Sequence, residues 1–293
     1  MIDDIYIPND YRVSHAANGF RWWREAFALF ARQAGSFFLI SMAYWLLSFF
    51  AVLVCSLVPN VIGVPLRIVL AVMSPVFAAS FAMAAARADR DDQLDISTLF
   101  AGCASWRPLV HIGMIQFFLQ LLALLIFVLG TGALLAGANV DVNALNQSLT
   151  AVTAQPERMA DILQQSLGET LIVQCIWWAC SVALVTAFVL FLLTLAPSLV
   201  VLGGTKAMDA VWLSVRAVLA NWRAFTAYGL FSFALTLVCI VGMGMIEVLT
   251  GSDLLMMCIA VLVFMGGYPI VTTSQYCAYK DIFADRESAM PLD

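Results

Sequence analysis

The chain has 293 residues, of which 63% are hydrophobic and only 11% charged, with a formal net charge of −5. Soluble domains carry about 25% charged residues, so this composition excludes a chain whose whole surface is wetted by water; lipid must solvate part of it. The seven cysteines form no C-x-x-C pair and no Cys/His cluster, so they read as small apolar packing residues, and no metal site is expected.

Residues 1–18 read as an N-terminal cytoplasmic tail. Pro8 and Asn9-Asp10 are turn signals, and residues 1–16 are expected to be flexible or to lie on the surface. Asp3, Asp4, Asp10 and the charged run from Arg21 to Arg32 separate the N-terminus too far from the first apolar run for a cleavable signal, so the first span is expected to act as an uncleaved anchor.

Residues 19–34 read as an amphipathic helix with Asn18 as N-cap. Phe20, Trp23, Phe27, Phe30 and Ala34 share one face, and Arg21, Arg24, Glu25, Ala28 and Arg32 the other. Cations opposite aromatics suit a helix lying in the headgroup region; the alternative is a partner-binding helix.

Six membrane spans are predicted at about 37–58, 68–86, 109–135, 171–201, 225–249 and 254–277, each near the 20 or so apolar residues that a bilayer core requires. Pro59-Asn60 and Gly63 make the turn between the first two. The second half of span two is rich in small residues, Ala78 to Ala86, and is expected to pack inside the bundle. Ile96, Leu99, Phe100, Cys103 and Trp106 mark a second interfacial helix before span three. Met208, Val211, Trp212, Val215, Leu219 and Trp222, opposite Lys206, Asp209, Arg216 and Arg223, mark a third before span five.

The predicted fold is therefore all-α: a polytopic membrane bundle of six transmembrane helices in three pseudo-repeated hairpins, each preceded by a cytoplasmic interfacial amphipathic helix, and forming one membrane domain over 19–293. Ser74-Pro75, Ala196-Pro197 and Tyr268-Pro269 recur near the end of each returning span. The long connection 137–169 carries Asp141, Glu157, Asp161 and Glu169 against Arg158, an acidic cap and a surface for protein partners. With the N-terminus inside, twelve Lys and Arg fall on the cytoplasmic side and two, Arg67 and Arg158, on the other. That asymmetry predicts a bacterial inner-membrane protein with both termini cytoplasmic.

Candidate contacts for a ligand or lipid are Arg67, Arg107, His111, Gln116, Gln120 and Glu247. Ionisable groups within spans are functional candidates because an unpaired charge in lipid is costly. Glu247 is expected near the depth of Arg67, and the readings are an interfacial carboxylate reaching water, an Arg67–Glu247 pair, or a proton or ligand role. His111 lies a turn inside span three near Arg107 and reads as an interfacial histidine or a pH-sensitive one. Gln116 and Gln120 share a face, suited to interhelical hydrogen bonds or to a polar path. Cytoplasmic Arg and Trp residues would meet anionic lipid headgroups, so membrane lipids are expected partners.

No Gly-x-x-x-x-Gly-Lys-Ser/Thr loop, nucleophile elbow or His-Glu-x-x-His occurs, so no catalytic residue, cofactor or metal is assigned and an enzyme is not expected. The basic residues are spread along the span borders, which argues against nucleic acid.

Gly19-Phe20-Arg21-Trp22 with Phe27-Ala28-Leu29-Phe30, Ser74-Pro75-Val76-Phe77, Leu99-Phe100-Ala101-Gly102, Ala196-Pro197 and, most specifically, Tyr276-Cys277-Ala278-Tyr279-Lys280-Asp281-Ile282-Phe283 together resemble an uncharacterised family of bacterial six-span inner-membrane proteins of unknown function. A looser likeness is to the membrane domain of some glycerophosphodiester phosphodiesterases. The resemblance implies location and fold and supplies no catalytic residues. The function expected is a non-enzymatic scaffold or accessory factor of the envelope, the alternative a small-molecule or lipid transporter with a path between the hairpins.

Overall fold

A computed structural model describes residues 11–138, 150 and 169–283. Among them the chain is helical with no strand, and six helices are long and apolar enough to cross a membrane: Ala34–Leu57, Asn60–Asp89, Ile96–Gly137, Thr170–Gly203, Trp222–Thr250 and Leu254–Phe283. The protein is an all-α membrane bundle. Most of the acidic connection 137–169 lies outside the described residues. The chain divides into two compact units, Met1–Met114 with Leu192–Asp293, and Ile115–Phe191.

In the first unit, α1 (Asn18–Arg32) leads through Gln33 into α2 (Ala34–Leu57), and α3 (Asn60–Asp89) follows after Val58 and Pro59. The turn is shorter than the sequence suggested: Gly63 is already helical and buried, and Pro65 lies inside the helix. Proline near an exposed helix start leaves few carbonyls to satisfy, and Val61, whose carbonyl Pro65 cannot bond, is 86% exposed. A 3-10 segment, Ile96–Ser105, replaces the second predicted amphipathic α-helix and leads into α4 (Trp106–Gly137).

Span four is two helices, α5 (Glu169–Leu192) and α6 (Ala196–Gly203). Pro197 sits in the first turn of α6, where its missing N–H costs nothing. Ser214 of α7 (Ala207–Ala220) closes the break: its hydroxyl donates to the Leu192 carbonyl at 2.7 Å and accepts from the Leu195 N–H at 3.3 Å. Pro75 and Pro269, by contrast, lie inside unbroken helices. The last hairpin is α8 (Trp222–Thr250) and α9 (Asp253–Phe283).

The core of this unit gathers Phe37 and Ile40 of α2, Phe81, Ala84 and Ala88 of α3, and Leu99 of the 3-10 segment. Tyr268 of α9 stands edge-on to Phe81 with ring centroids 4.9 Å apart and stacks on Tyr44 at 5.2 Å. The alanine-rich half of α3 is buried as its composition predicts, and Ser80 ties it to the 3-10 segment by accepting from the Gly102 N–H at 2.9 Å.

The amphipathic segments divide their large apolar residues between the core and the outside. In α7 the inward residues are Ala210, Leu213, Ser214, Ala217 and Val218, while Met208, Trp212, Leu219 and Trp222 are exposed. In the 3-10 segment Thr98, Leu99 and Gly102 face inward and Ile96, Phe100 and Cys103 outward. In α1 the buried stripe is Gly19, Trp22, Trp23, Ala26 and Leu29; Phe20 and Phe27 are exposed. Where both core and lipid are apolar, packing selects small residues and flat rings that let backbones approach, and large side chains can turn to lipid. Gly19 is the clearest case, because a Cβ there would lie 2.2 Å from the Ala224 carbonyl oxygen of α8.

Candidate functional site

A group of charged residues of the first unit meets at one end of the bundle, where α1, the end of α3 and the last turns of α9 come together. Helical spacing on α9 sets this up. Tyr276 and Lys280, four apart, share the face toward α3, and Asp281, one residue on, faces α1. Asp89, in the last turn of α3, accepts from the Tyr276 hydroxyl at 2.9 Å and pairs with the Lys280 ammonium.

Asp281 is the more heavily coordinated carboxylate. One oxygen accepts from Ser14 Oγ at 2.8 Å, Asn18 Nδ2 at 2.9 Å and Trp22 Nε1 at 3.0 Å, and the other takes the Arg21 guanidinium. Its side chain is 9% exposed. Burial works to raise its pKa, but the Ser14 and Trp22 hydrogen bonds, the Arg21 charge and the Asn18 hydrogen bond outweigh it, so the carboxyl is held below its ordinary value.

This arrangement corrects one expectation and sharpens another. Asn18 does not cap α1; the cap position is Ala17 with no side-chain bond, and the Asn18 amide is spent on Asp281. Residues 11–16 lie at the surface, one of the two readings, with only Ser14 buried, and they are hydrogen-bonded in place. The Arg12 N–H donates to the Ile282 carbonyl at 3.0 Å, the Ser14 N–H donates to Asn221 Oδ1 at 2.6 Å, and Asn221 Nδ2 donates to the Arg12 carbonyl at 3.0 Å. Asn221 is 1% exposed, so the amide is a buried rivet between the N-terminal strap and the α7–α8 corner.

Beside these contacts lies an open recess of about 400 Å³, lined by Arg12, Arg21, Arg32 and Lys280 with Glu25, Asp89 and Asp281. Arg21 also pairs with Glu25 at 3.3 Å, and Arg32 reaches Asp91 at 3.8 Å. The recess therefore offers both signs of charge, largely matched within its own walls. Chemically it is a set of ion pairs with room beside them for a small polar group.

The six residues singled out from sequence are dispersed. Arg67 is exposed and donates to the Cys55 carbonyl at 3.3 Å, and Glu247 is exposed; among the described ion pairs the two are not joined. Arg107 is exposed and lies over the Trp106 ring at 5.8 Å, and the exposed His111 has Nδ1 2.9 Å from the Arg107 carbonyl. Gln116 is half-buried and Gln120 exposed, both on α4 in the second unit. Two further exposed tryptophans carry arginines in the same way: Arg216 over Trp212 at 5.6 Å and Arg223 over Trp222 at 5.4 Å. Among the described residues no group of three or more His, Cys, Asp or Glu is gathered as metal ligands would be.

Sequence reading passed over Asp89, Tyr276, Lys280, Asp281 and Asn221 as site residues, although Tyr276 to Phe283 stood out as a motif. The available signal was an Asp four residues beyond a Cys, and a Lys four beyond a Tyr, on a helix otherwise devoid of charge for more than twenty residues. No family model, curated protein or solved structure matches this chain.

Proposed function

We propose that this integral membrane protein is a non-enzymatic scaffold or accessory factor of a bacterial inner membrane, with both termini cytoplasmic, three hairpin repeats and interfacial segments along the cytoplasmic face. The family resemblance carried by Tyr276 to Phe283 belongs to the same proposal. The observation that carries it is the pairing of the charged residues: Asp281 and Asp89 draw their donors from Ser14, Asn18, Arg21, Trp22, Tyr276 and Lys280. Charge committed to tying one end of a bundle together suits a rigid platform; a solute path needs groups left to exchange partners. Gln116, Gln120 and Glu247 line neither the charged recess beside Asp281 nor the two recesses between α4 and α5.

Platform contacts would run through the acidic connection, with Asp141, Glu157, Asp161 and Glu169 meeting a basic partner on the outer side, and through the exposed Arg–Trp pairs meeting anionic headgroups. Quantitative cross-linking in native membranes tests this. A partner cross-linked to the intact chain and lost when Asp141, Glu157 and Asp161 are changed to Asn supports the scaffold. The transporter reading replaces it if the purified chain alone carries solute or lipid across sealed vesicles and no such partner is captured.

A further inference from the structure

The outward face of α7 mixes two kinds of side chain. Met208, Trp212 and Leu219 are exposed, as is Trp222 at the start of α8, and Arg216 and Arg223 are exposed among them. Residues 208, 212, 216 and 219 recur at helical spacing, so apolar and cationic groups share one side of the helix. Arg216 lies over the Trp212 ring and Arg223 over the Trp222 ring. Among the described residues neither guanidinium has a hydrogen-bond or ion-pair partner, whereas Arg21, Arg32 and Lys280 each meet a carboxylate. A ring covers one face of a guanidinium and leaves the N–H groups at its edge free, a fork that matches a phosphate. The one acid of α7, Asp209, is half-buried and about two turns before Arg216.

We propose that this face of α7, with the α7–α8 corner, binds the phosphate of an anionic phospholipid, and that the bound lipid holds the first unit together. The occupant follows from the composition of the face. At mid-bilayer the two unpaired arginines would be costly, and in water the exposed Met, Trp and Leu side chains would be. The headgroup border supplies phosphate for the arginines and hydrocarbon for the apolar residues. A soluble anion would meet the arginines alone. The inference rests on the headgroup contact proposed above and is independent of the choice between platform and transporter.

The inner face of α7 gives lipid occupancy its consequence. Ser214 bonds both sides of the break in span four, at the Leu192 carbonyl and the Leu195 N–H. Asn221, just past the end of the helix, holds the N-terminal strap at the Ser14 N–H and the Arg12 carbonyl. A helix of 14 residues is marginal by itself, so α7 stays helical and in place through what its two faces grip. A lipid that binds only the docked helix stabilises the docked state by mass action. The outer face thus links headgroup charge to the two joints that α7 closes.

The test is the thermal unfolding midpoint of the full-length protein in phosphatidylcholine vesicles, with and without phosphatidylglycerol replacing part of that lipid. Phosphatidylglycerol is expected to raise the wild-type midpoint by about 3–6 °C. Arg216→Gln and Arg223→Gln should each cut that rise and together remove most of it. Arg90→Gln should keep it, since Arg90 is exposed and, among the described residues, lies over no tryptophan. Each variant's rise is taken from its own midpoint in phosphatidylcholine, so a change in basal stability does not enter. A rise that survives in the double variant overturns this site and leaves the headgroup contact standing; no rise in any protein overturns both. An equal rise with inorganic phosphate added to pure phosphatidylcholine vesicles overturns lipid as the source. An acidic protein cross-linked through residues 212–223 in native membranes, in place of lipid, overturns the proposal as well.

Discussion

Trp22 Nε1 donates to Asp281 Oδ2 at 3.0 Å across 259 positions of sequence, joining the first helix of the chain to the end of the last. The same indole is fully buried against Phe225, with centroids 5.1 Å apart, so one side chain serves both the aromatic core and the polar clasp. The clasp and the α1–α8 contact should accordingly stand or fall together.

Removing the carboxylate tests the clasp. Asp281→Ala leaves the donors of Ser14, Asn18 and Trp22 without their acceptor and should lower stability by about 2–3 kcal/mol, a figure reduced from full burial because Arg21 reaches water. Asp281→Asn keeps one acceptor oxygen and should cost less. Unfolding midpoints in detergent, ranked wild type above Asn above Ala, check this; an Asn variant as weak as Ala would show that the charge and not the hydrogen-bond geometry dominates.

Acidification should act through the same residue. The Asp281 carboxyl has its pKa lowered from an ordinary 3.8 in the folded chain. A depressed carboxylate contributes stability that is present above the unfolded value and is lost as pH falls through the folded one. Wild type should therefore lose its stability advantage over Asp281→Asn as pH drops below about 4 and keep that advantage constant between pH 6 and 8. Parallel pH curves for the two proteins would contradict the assignment.

Glycines on two helices separate close approach from mere exposure. Gly19→Ala would push a Cβ to 2.2 Å from the Ala224 carbonyl oxygen and 2.7 Å from the Tyr228 nitrogen, both backbone atoms. Backbone can yield only by moving α1 off α8, at a cost of about 1–3 kcal/mol. Gly229→Ala, on α8 with nothing within 4 Å of its Cβ, should be neutral or gain up to about 1 kcal/mol from helix propensity. Thermal midpoints of the two variants should move in opposite directions or differ clearly in size.

The broken span offers a fourth check. Ser214→Ala deprives the Leu195 N–H and the Leu192 carbonyl of a shared partner and should cost about 1–2 kcal/mol. Thr236→Ala removes a hydroxyl bonded only to the Ser232 carbonyl on its own exposed helix face and should stay within about 0.5 kcal/mol. Equal effects in the two variants would mean that the break at residues 193–195 does not depend on Ser214.

Apolar run length and small-residue content made six spans and the inward face of α3 legible, because a bilayer sets a minimum helix length and close packing requires small side chains. The same local signals left open which face of α1 and α7 is core. Hydrophobic periodicity finds an apolar side, and in water that side is the core. Here lipid is equally apolar, and Met208, Trp212 and Leu219 face outward while Ala210, Ser214 and Ala217 face in.

The site was less legible still. Arg67, Arg107, His111 and Glu247 attract attention as ionisable groups near span borders, yet in the fold only Arg107 and His111, one turn apart on α4, are neighbours. Asp89 and Asp281 sit in ordinary charged connectors when read locally, and no local pattern links Ser14 to Asp281 or Arg12 to Asn221.

The amino-acid sequence by itself determined that this chain is a helical membrane protein, where its spans fall, and that its positive charge gathers on one set of connections, because those properties depend on composition within windows of about twenty residues. Only the tertiary structure decided which carboxylates become buried acceptors, which face of each amphipathic segment is core, and that the Trp178 indole of α5 donates to the Phe127 carbonyl of α4. Those outcomes depend on contacts between residues up to 267 positions apart, whose geometry is set by helix packing and not by any neighbour along the chain.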